Sequence, residues 1–412
     1  MERWKINLYT LWGSQICSLM GFGFVLPFIP FYIQQMGVTD SVQLSYYVGL
    51  SATLPAASMA IAAPIWGIMS DRYGRKMMIL RAMLCATLIL ISMSLVRNVW
   101  QFMVLRVLQG IFTGTITASM SFVSANTPQN RMSYSLGLMT SSNFLGFSIG
   151  PFVGGMLAEI VGYRMCFVLG GVLMIVGFFL VLFLVKEDKN TYGYKIRSEI
   201  NDKGEKQKLF NPFVLAIMLC LLVQRIARSV FAPFLALYVQ ECLGTVVGAA
   251  RYTGLINGAT SLATATAAFT ITRRGDKADK LNTAMHLTVI SIPIISLAIF
   301  FNYLSLFTLF FTIYFFIAGG IEPTLTSAVS ERTPVHMRGS LFGVLGTVSS
   351  VGAMISPIMG SFVSVKFGLK SILLIIPIFT SIQVICIGIA KRKVPKAALG
   401  AKFSSDEKEP VL

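Results

Sequence analysis

Gly146-Phe147-Ser148-Ile149-Gly150-Pro151-Phe152-Val153-Gly154-Gly155 lies inside a long apolar run, and its reading decides the fold. The glycines at 146, 150 and 154 recur every fourth residue and so share one face of a helix. A face without side chains lets a neighbouring helix come to backbone contact, the way small residues join helices in lipid. Pro151 removes a backbone donor in the same stretch and favours a kink there. The pattern returns 206 residues later as Gly352-Ala353-Met354-Ile355-Ser356-Pro357-Ile358-Met359-Gly360-Ser361, with serine at two of the glycine positions. The same offset carries Thr127-Pro128 to Thr333-Pro334, Gly137 to Gly343 and Gly162 to Gly368. It also carries Pro27-Phe28, Tyr32 and Gln34 to Pro233-Phe234, Tyr238 and Gln240. The chain reads as a tandem duplication whose period is half its length.

Hydrophobic residues make up 55% of the 412, charged residues only 12%, and the mean hydropathy is +0.73. Soluble domains carry about 25% charged residues, so the composition points to an all-α membrane protein. Twelve transmembrane helices are expected near 8–34, 44–69, 77–96, 100–124, 133–159, 165–185, 212–240, 250–272, 281–301, 304–329, 339–365 and 370–390. Each is long enough for a hydrocarbon core that needs roughly 20 helical residues. The expected organisation is two six-helix pseudo-repeats, an N-terminal bundle over 1–185 and a C-terminal bundle over 212–390. A polar, lysine-rich linker over 186–211 and a similar tail over 391–412 read as solvated tethers.

The net charge of +17 has a topological meaning. Counted from an inner N-terminus, the even-numbered connections and both ends hold most of the Lys and Arg, among them Arg72, Arg75, Lys76, Arg131, Arg273, Arg274 and Lys391 to Lys393. The opposite loops hold Arg97, Arg164, Arg251, Lys366 and Lys370. By the positive-inside rule both termini are expected in the cytoplasm, with the chain a multi-pass protein of the cell (inner) membrane. Its expected partner is the lipid bilayer, not nucleic acid. The six cysteines form no Cys-x-x-Cys or Cys/His cluster, so neither a metal site nor a disulfide framework is expected. No phosphate-binding Gly-x-x-x-x-Gly-Lys loop and no Ser/His/Asp set is present, so the chain reads as no enzyme, with no cofactor.

The strongest local signal is Gly67-Ile68-Met69-Ser70-Asp71-Arg72-Tyr73-Gly74-Arg75-Lys76. Gly74 suits a tight turn between antiparallel helices. Asp71 is expected near the N–H groups of the helix that follows, where a carboxylate is favoured. This stretch resembles the signature between spans two and three of the major facilitator superfamily. The stretch at 146–155 resembles the span-five antiporter motif of its twelve-span drug/proton exporters, with Gly146, Gly150, Pro151, Gly154 and Gly155 in place. Gly21 through Pro30 and Leu105-Arg106-Val107-Leu108-Gln109-Gly110 resemble the span-one and span-four motifs of the same branch. The resemblance implies a proton-coupled efflux antiporter for amphipathic drugs, working by alternating access, with a monomer as the expected working unit. It also implies a gating loop formed by Gly67, Asp71, Arg72, Gly74, Arg75 and Lys76, controlling switching rather than binding. Span four ends in Ser124-Ala125-Asn126-Thr127 without the acidic residue that relatives often place there, which weakens any latch built on that pair.

Charged residues within spans cost about 2.5–3.5 kcal/mol each on insertion scales, so they are read as functional. Four stand out: Arg106, with Gln109 on the same face of span four, Arg225 and Arg228 one turn apart in span seven, and Glu322 in span ten. Gly319-Gly320 and Pro323 around Glu322 predict an irregular helix. The resemblance places all four on cavity-lining spans. Glu322 is the expected proton-coupling acid, and an internal salt bridge with a span-seven arginine that only fixes packing is the alternative. The excess of arginine also leaves open a transporter of a small anionic metabolite. A receptor or scaffold on the same fold is a remoter reading, since the Gly/Pro hinges suit moving halves.

Overall fold

A computed structural model of the chain describes residues 2–128, 131–187, 211–275, 279–301, 303–333 and 338–393, and these are helical with no strand among them. The linker expected at 186–211 and the tail at 391–412 lie almost wholly outside the described residues. Twelve helical segments follow in chain order. The first half has α1 (Arg3–Gln35), α2 (Ser41–Tyr73), α3 (Arg75–Leu95), α4 (Val99–Asn126), α5 (Met132–Val161) and α6 (Tyr163–Leu184). The second half has α7 (Pro212–Leu243), α8 (Ala249–Gly275), α9 (Lys280–Phe300), α10 (Leu304–Glu331), α11 (Arg338–Phe367) and α12 (Ser371–Arg392).

Eleven of the twelve are long and apolar enough to cross a membrane by length and composition. The exception is α8, rich in Ala, Thr and Gly. Its small residues sit where backbones meet: a Cβ on Gly254 would lie 2.5 Å from the Pro151 carbonyl of α5, and one on Gly319 of α10 would lie 2.9 Å from Thr264 Cα. In lipid this close approach replaces the hydrophobic drive that water supplies elsewhere. Large apolar side chains such as Ile61, Leu95, Ile160 and Phe300 are exposed on the outside of the bundle, as a lipid-facing belt requires.

Four helices are broken, and the breaks obey the repeat. A short 3-10 turn at Leu26–Phe28 interrupts α1, and its counterpart at Ala232–Phe234 interrupts α7 at the same 206-residue offset. Each contains a proline, which cannot donate to the preceding turn. In α4 the helix stops at Phe112 and restarts at Thr115, and α10 stops at Gly319 and restarts at Ile321. Gly114 and Gly320 occupy the two breaks, again 206 residues apart. Gly114 has φ 119°, which L-side chains rarely adopt. Helix starts are set locally: Asp40, Asn98, Asn211 and Asp279 accept from backbone N–H groups in the first turns of α2, α4, α7 and α9.

The glycine stripe of α5 packs on α1. A Cβ on Gly150 would fall 2.9 Å from Gly23 Cα and 3.1 Å from Met20 Cα, and one on Gly146 would meet Leu19. Gly155 turns to the other half, against Ala250 and Gly254 of α8. In the repeat, Gly352 of α11 leaves room for the stem of Arg225, 2.9 Å from where its Cβ would be, and Gly360 packs on Val230 and Phe234.

Among the described residues, the hydrogen bonds that join the halves gather toward one end. Gln34 Nε2 donates to Gln240 Oε1 at 3.0 Å, joining two residues related by the repeat. Ser45 and Ser364 hydroxyls lie 3.0 Å apart, Ser361 Oγ donates to the Ser45 carbonyl at 3.0 Å, and Thr53 Oγ1 to the Met354 carbonyl at 3.3 Å. At the opposite, basic end, carrying Arg72, Arg75 and Lys76, Gly67, Gly137 and Gly346 have no neighbour within 4 Å of a built Cβ. Among the described residues, the far end is thus bridged between the halves, and these glycines of the basic end face open space. Replacing Gly150 with leucine must push α5 off α1, at about 1–3 kcal/mol for overpacking. Gly150→Leu is expected to unfold at lower temperature in detergent and to lose transport. A variant with wild-type stability and full transport would show that the contact is dispensable.

Candidate functional site

Between the halves lie two adjoining volumes of about 820 and 510 Å³. They share Phe147, Arg225, Arg228, Thr260, Ser261 and Phe315, so they form one continuous cavity. The larger part reaches toward the basic end at Ser330 and Glu331, and the smaller ends beneath Leu26 and Pro233 at the two 3-10 turns. Its wall mixes aromatic rings with hydroxyls and amides, the composition of a site for a small, partly apolar molecule.

All four charges singled out in the sequence reach this cavity's wall. Arg228 Nη1 lies 3.6 Å from Glu322 Oε2, its Nη2 donates to Thr264 Oγ1 at 3.3 Å, and its guanidinium stands 5.5 Å from the Phe315 ring centre. Glu322 occupies the first turn of the helix that restarts at Ile321, where a carboxylate is favoured by the helix dipole. Its side chain is 44% exposed, against 16% for Arg228, so the acid of the pair faces the cavity. Exposed pairs contribute little, of the order of 0–1 kcal/mol, and this one therefore costs little to open. Arg225 is on the wall of both volumes, with its Nε buried and without a hydrogen-bond partner. Arg106 is 7% exposed; its Nη1 donates to Gln109 Oε1 at 2.9 Å. Gln224, beside Arg225, is turned away from the cavity: it donates to the Ala318 carbonyl and accepts from Gln383.

A Major Facilitator Superfamily profile matches residues 11–222 and again 217–411. The chain belongs to the major facilitator superfamily. It is a membrane transporter, not an enzyme, and the double match falls on the two halves of the repeat. Multidrug resistance protein MdtG of Proteus mirabilis is 27% identical over 375 residues, covering 90% of this chain and 92% of that protein. MdtG of Escherichia coli K12 is 29% identical over 377 residues, with 90% and 91% covered. A bacterial homologue of the human lysosomal transporter Spinster, solved inward-facing and occupied, superimposes with a TM-score of 0.77 at 15% identity, over 94% of this chain and 96% of that one. That likeness is one of fold.

The loop resembling the superfamily signature departs from expectation at one point. Gly74 makes the turn, with φ 95°. Asp71, however, lies in the last turn of α2, not at the start of α3, and its side chain is outside the described residues. The N–H groups that open α3 are capped from elsewhere: Arg75 N donates to Glu187 Oε1 at 3.0 Å and Lys76 N to Glu187 Oε2 at 2.9 Å. Lys76 Nζ in turn reaches the Leu182 carbonyl at 2.9 Å. Asn7 of α1 pins the neighbouring residue, accepting from Lys186 N and donating to its carbonyl. The chain leaving α6 is thus tied to the start of α3 and to α1. Glu187 sits 111 residues from its partner Lys76, and only the fold joins them, so no local pattern signals it. Arg72 is exposed beside Tyr73. Removing the cap with Glu187→Ala is expected to cost about 0.5–2 kcal/mol, read as a lower unfolding temperature in detergent, while Glu187→Gln retains part of it. Unchanged stability in Glu187→Ala would mean that water caps α3 equally well.

Proposed function

We propose that the chain is a proton-coupled exporter of amphipathic drugs, with the basic end and both termini in the cytoplasm and a monomer as the transporting unit. The observation that carries this reading is the Arg228–Glu322 pair, a weakly held, half-exposed carboxylate on the cavity wall at a helix break. Proton coupling requires a group that is ionised in one state of the cavity and neutral in another, and Glu322 is the acid placed to change surroundings as the halves move. The aromatic and hydroxyl lining suits amphipathic molecules, and the MdtG relatives bear the name multidrug resistance protein. With the basic end inside, the closed far end and open basic end correspond to an inward-open state, ready to load substrate from the cytoplasm or inner leaflet. The halves 1–185 and 212–390 are proposed to move as two bodies joined by the linker 186–211.

A second reading, export or uptake of a small organic anion, is favoured by the three arginines Arg106, Arg225 and Arg228 on the cavity wall, of which Arg228 is paired with Glu322. Counter-flow of cationic, neutral and anionic compounds in proteoliposomes separates the two. For coupling, Glu322→Gln is expected to abolish efflux driven uphill by a pH gradient while downhill exchange of a neutral substrate continues. Retained pH-driven accumulation in Glu322→Gln would place the coupling group elsewhere and leave Glu322 as a structural partner of Arg228.

A further inference from the structure

The first half holds a further cavity that shares no lining residue with the central one. It has a volume of about 390 Å³, lies between α2, α3 and α4, and is lined by Trp66, Ser70, Arg81, Gly114, Thr117 and Ser121 among others. Arg81 was not among the charges singled out in the sequence, although it stands six residues past the start of α3 at Arg75. Its guanidinium carbon lies 3.3 Å from the centre of the Trp66 ring, and Trp66 Nε1 donates to the Ile111 carbonyl at 2.6 Å, just before the α4 break. Trp66 therefore fixes one face of the guanidinium and ties it to the place where α4 opens.

Two of that guanidinium's three nitrogens have no hydrogen-bond partner among the described residues. Arg81 Nε and Nη1 are buried without a hydrogen-bond partner, and so is Ser70 Oγ on the same wall. Arg106 and Arg228 each donate to a side chain, whereas Arg81 donates to none among the described residues. A half-buried arginine within a span, with no counter-charge among the described residues, is costly in a membrane and marks a functional site by default. No carboxylate lines the cavity among the described residues. The donors that converge there are the planar fork of Arg81 and the Ser70 and Ser121 hydroxyls, beside the wall at Gly114 where the second half of α4 begins; the Thr117 hydroxyl is already donated to the Gly114 carbonyl at 3.0 Å. Such a set selects an anion, and the fork matches two oxygens of one tetrahedral or planar oxyanion. The remaining wall is apolar, with Met59, Ala63, Met78 and Ala118, so it accommodates an apolar substituent beside the charge. Arg72, Arg75 and Lys76 at the turn below draw anions toward this end.

We infer that Arg81, stacked on Trp66, with Ser70, forms a binding site for a phosphate group, separate from the central cavity. The phosphate could be carried by an anionic phospholipid headgroup or arrive free, and the chemistry of recognition is the same. The test uses the full chain in detergent with Trp4, Trp12 and Trp100 changed to Phe, so that Trp66 is the reporter. Inorganic phosphate, short-chain phosphatidylglycerol and, as a blank, short-chain diacylglycerol are titrated at constant ionic strength. A saturable change in Trp66 emission is expected with one or both phosphates and none with diacylglycerol. Arg81→Gln is expected to weaken binding about tenfold or more, and Ser70→Ala by roughly two- to fivefold. A response to phosphatidylglycerol alone assigns the site to lipid; a response to inorganic phosphate assigns it to a free anion. No saturable response to either, an equal response to diacylglycerol, or wild-type affinity in Arg81→Gln overturns the inference. Should Arg81→Gln fail to fold, Ser70→Ala and the titration of the Arg81-bearing chain decide it.

Discussion

Close backbone contact along α5 is the constraint on which the rest of the structure depends. The helix has glycine on two faces. Gly146, Gly150 and Gly154 seat it on α1, and Gly155 with the Pro151 carbonyl seats it on α8 of the other half. In lipid, contact of this kind is gained through packing and weak polar interactions, not through exclusion of water. Because α5 touches both halves at backbone distance, tilting one half against the other moves it as a rigid strut and not as a collection of adaptable side chains. The hydrogen bonds across the closed end are few and neutral: an amide pair at Gln34 and Gln240, and hydroxyls at Ser45, Ser361, Ser364 and Thr53. Contacts worth about 0.5–1.5 kcal/mol each net hold the far end shut without locking it.

The second constraint is electrostatic. Charge within the spans is concentrated where helices are broken or where an aromatic face is available. Glu322 follows the break at Gly320, Arg228 lies by Phe315, Arg106 lies 5.2 Å from the Phe102 ring, and Arg81 lies over Trp66. A desolvated cation over an aromatic face recovers about 2 kcal/mol, a large part of the insertion cost. That helps to make Arg81 tolerable within its span, whereas Arg228 also has Glu322 and Thr264 as partners and Arg106 has Gln109.

Much of this arrangement was legible in the sequence because a duplicated chain states its geometry twice. The offset that links Pro27 to Pro233 locates both 3-10 turns, and the offset that links Gly137 to Gly343 also links Gly114 to Gly320. The irregularity expected at Gly320 thus had an unread counterpart in α4. The twelve segments followed from hydropathy, except that α8 gives up apolar character for small residues where it packs on α5 and α10. What was not legible depends on contacts distant in sequence. The cap that Glu187 places on α3 is one such contact, because the chain leaving α6 is folded back against α3. Arg81 has no motif around it in the sequence, and its surroundings are visible only once Trp66 and the α4 break close around it.

The central claim is that the two halves rock about the cavity, with the ends opening in alternation. Double electron–electron resonance tests it most directly, in a cysteine-replaced chain with spin labels at Gly137 and Gly346 on the open basic end and, separately, at Val42 and Val365 on the closed far end. In nanodiscs, adding a transported drug or changing pH should shorten the first distance and lengthen the second under the same conditions. Distances that do not respond, or that change in the same direction at both ends, would contradict the account.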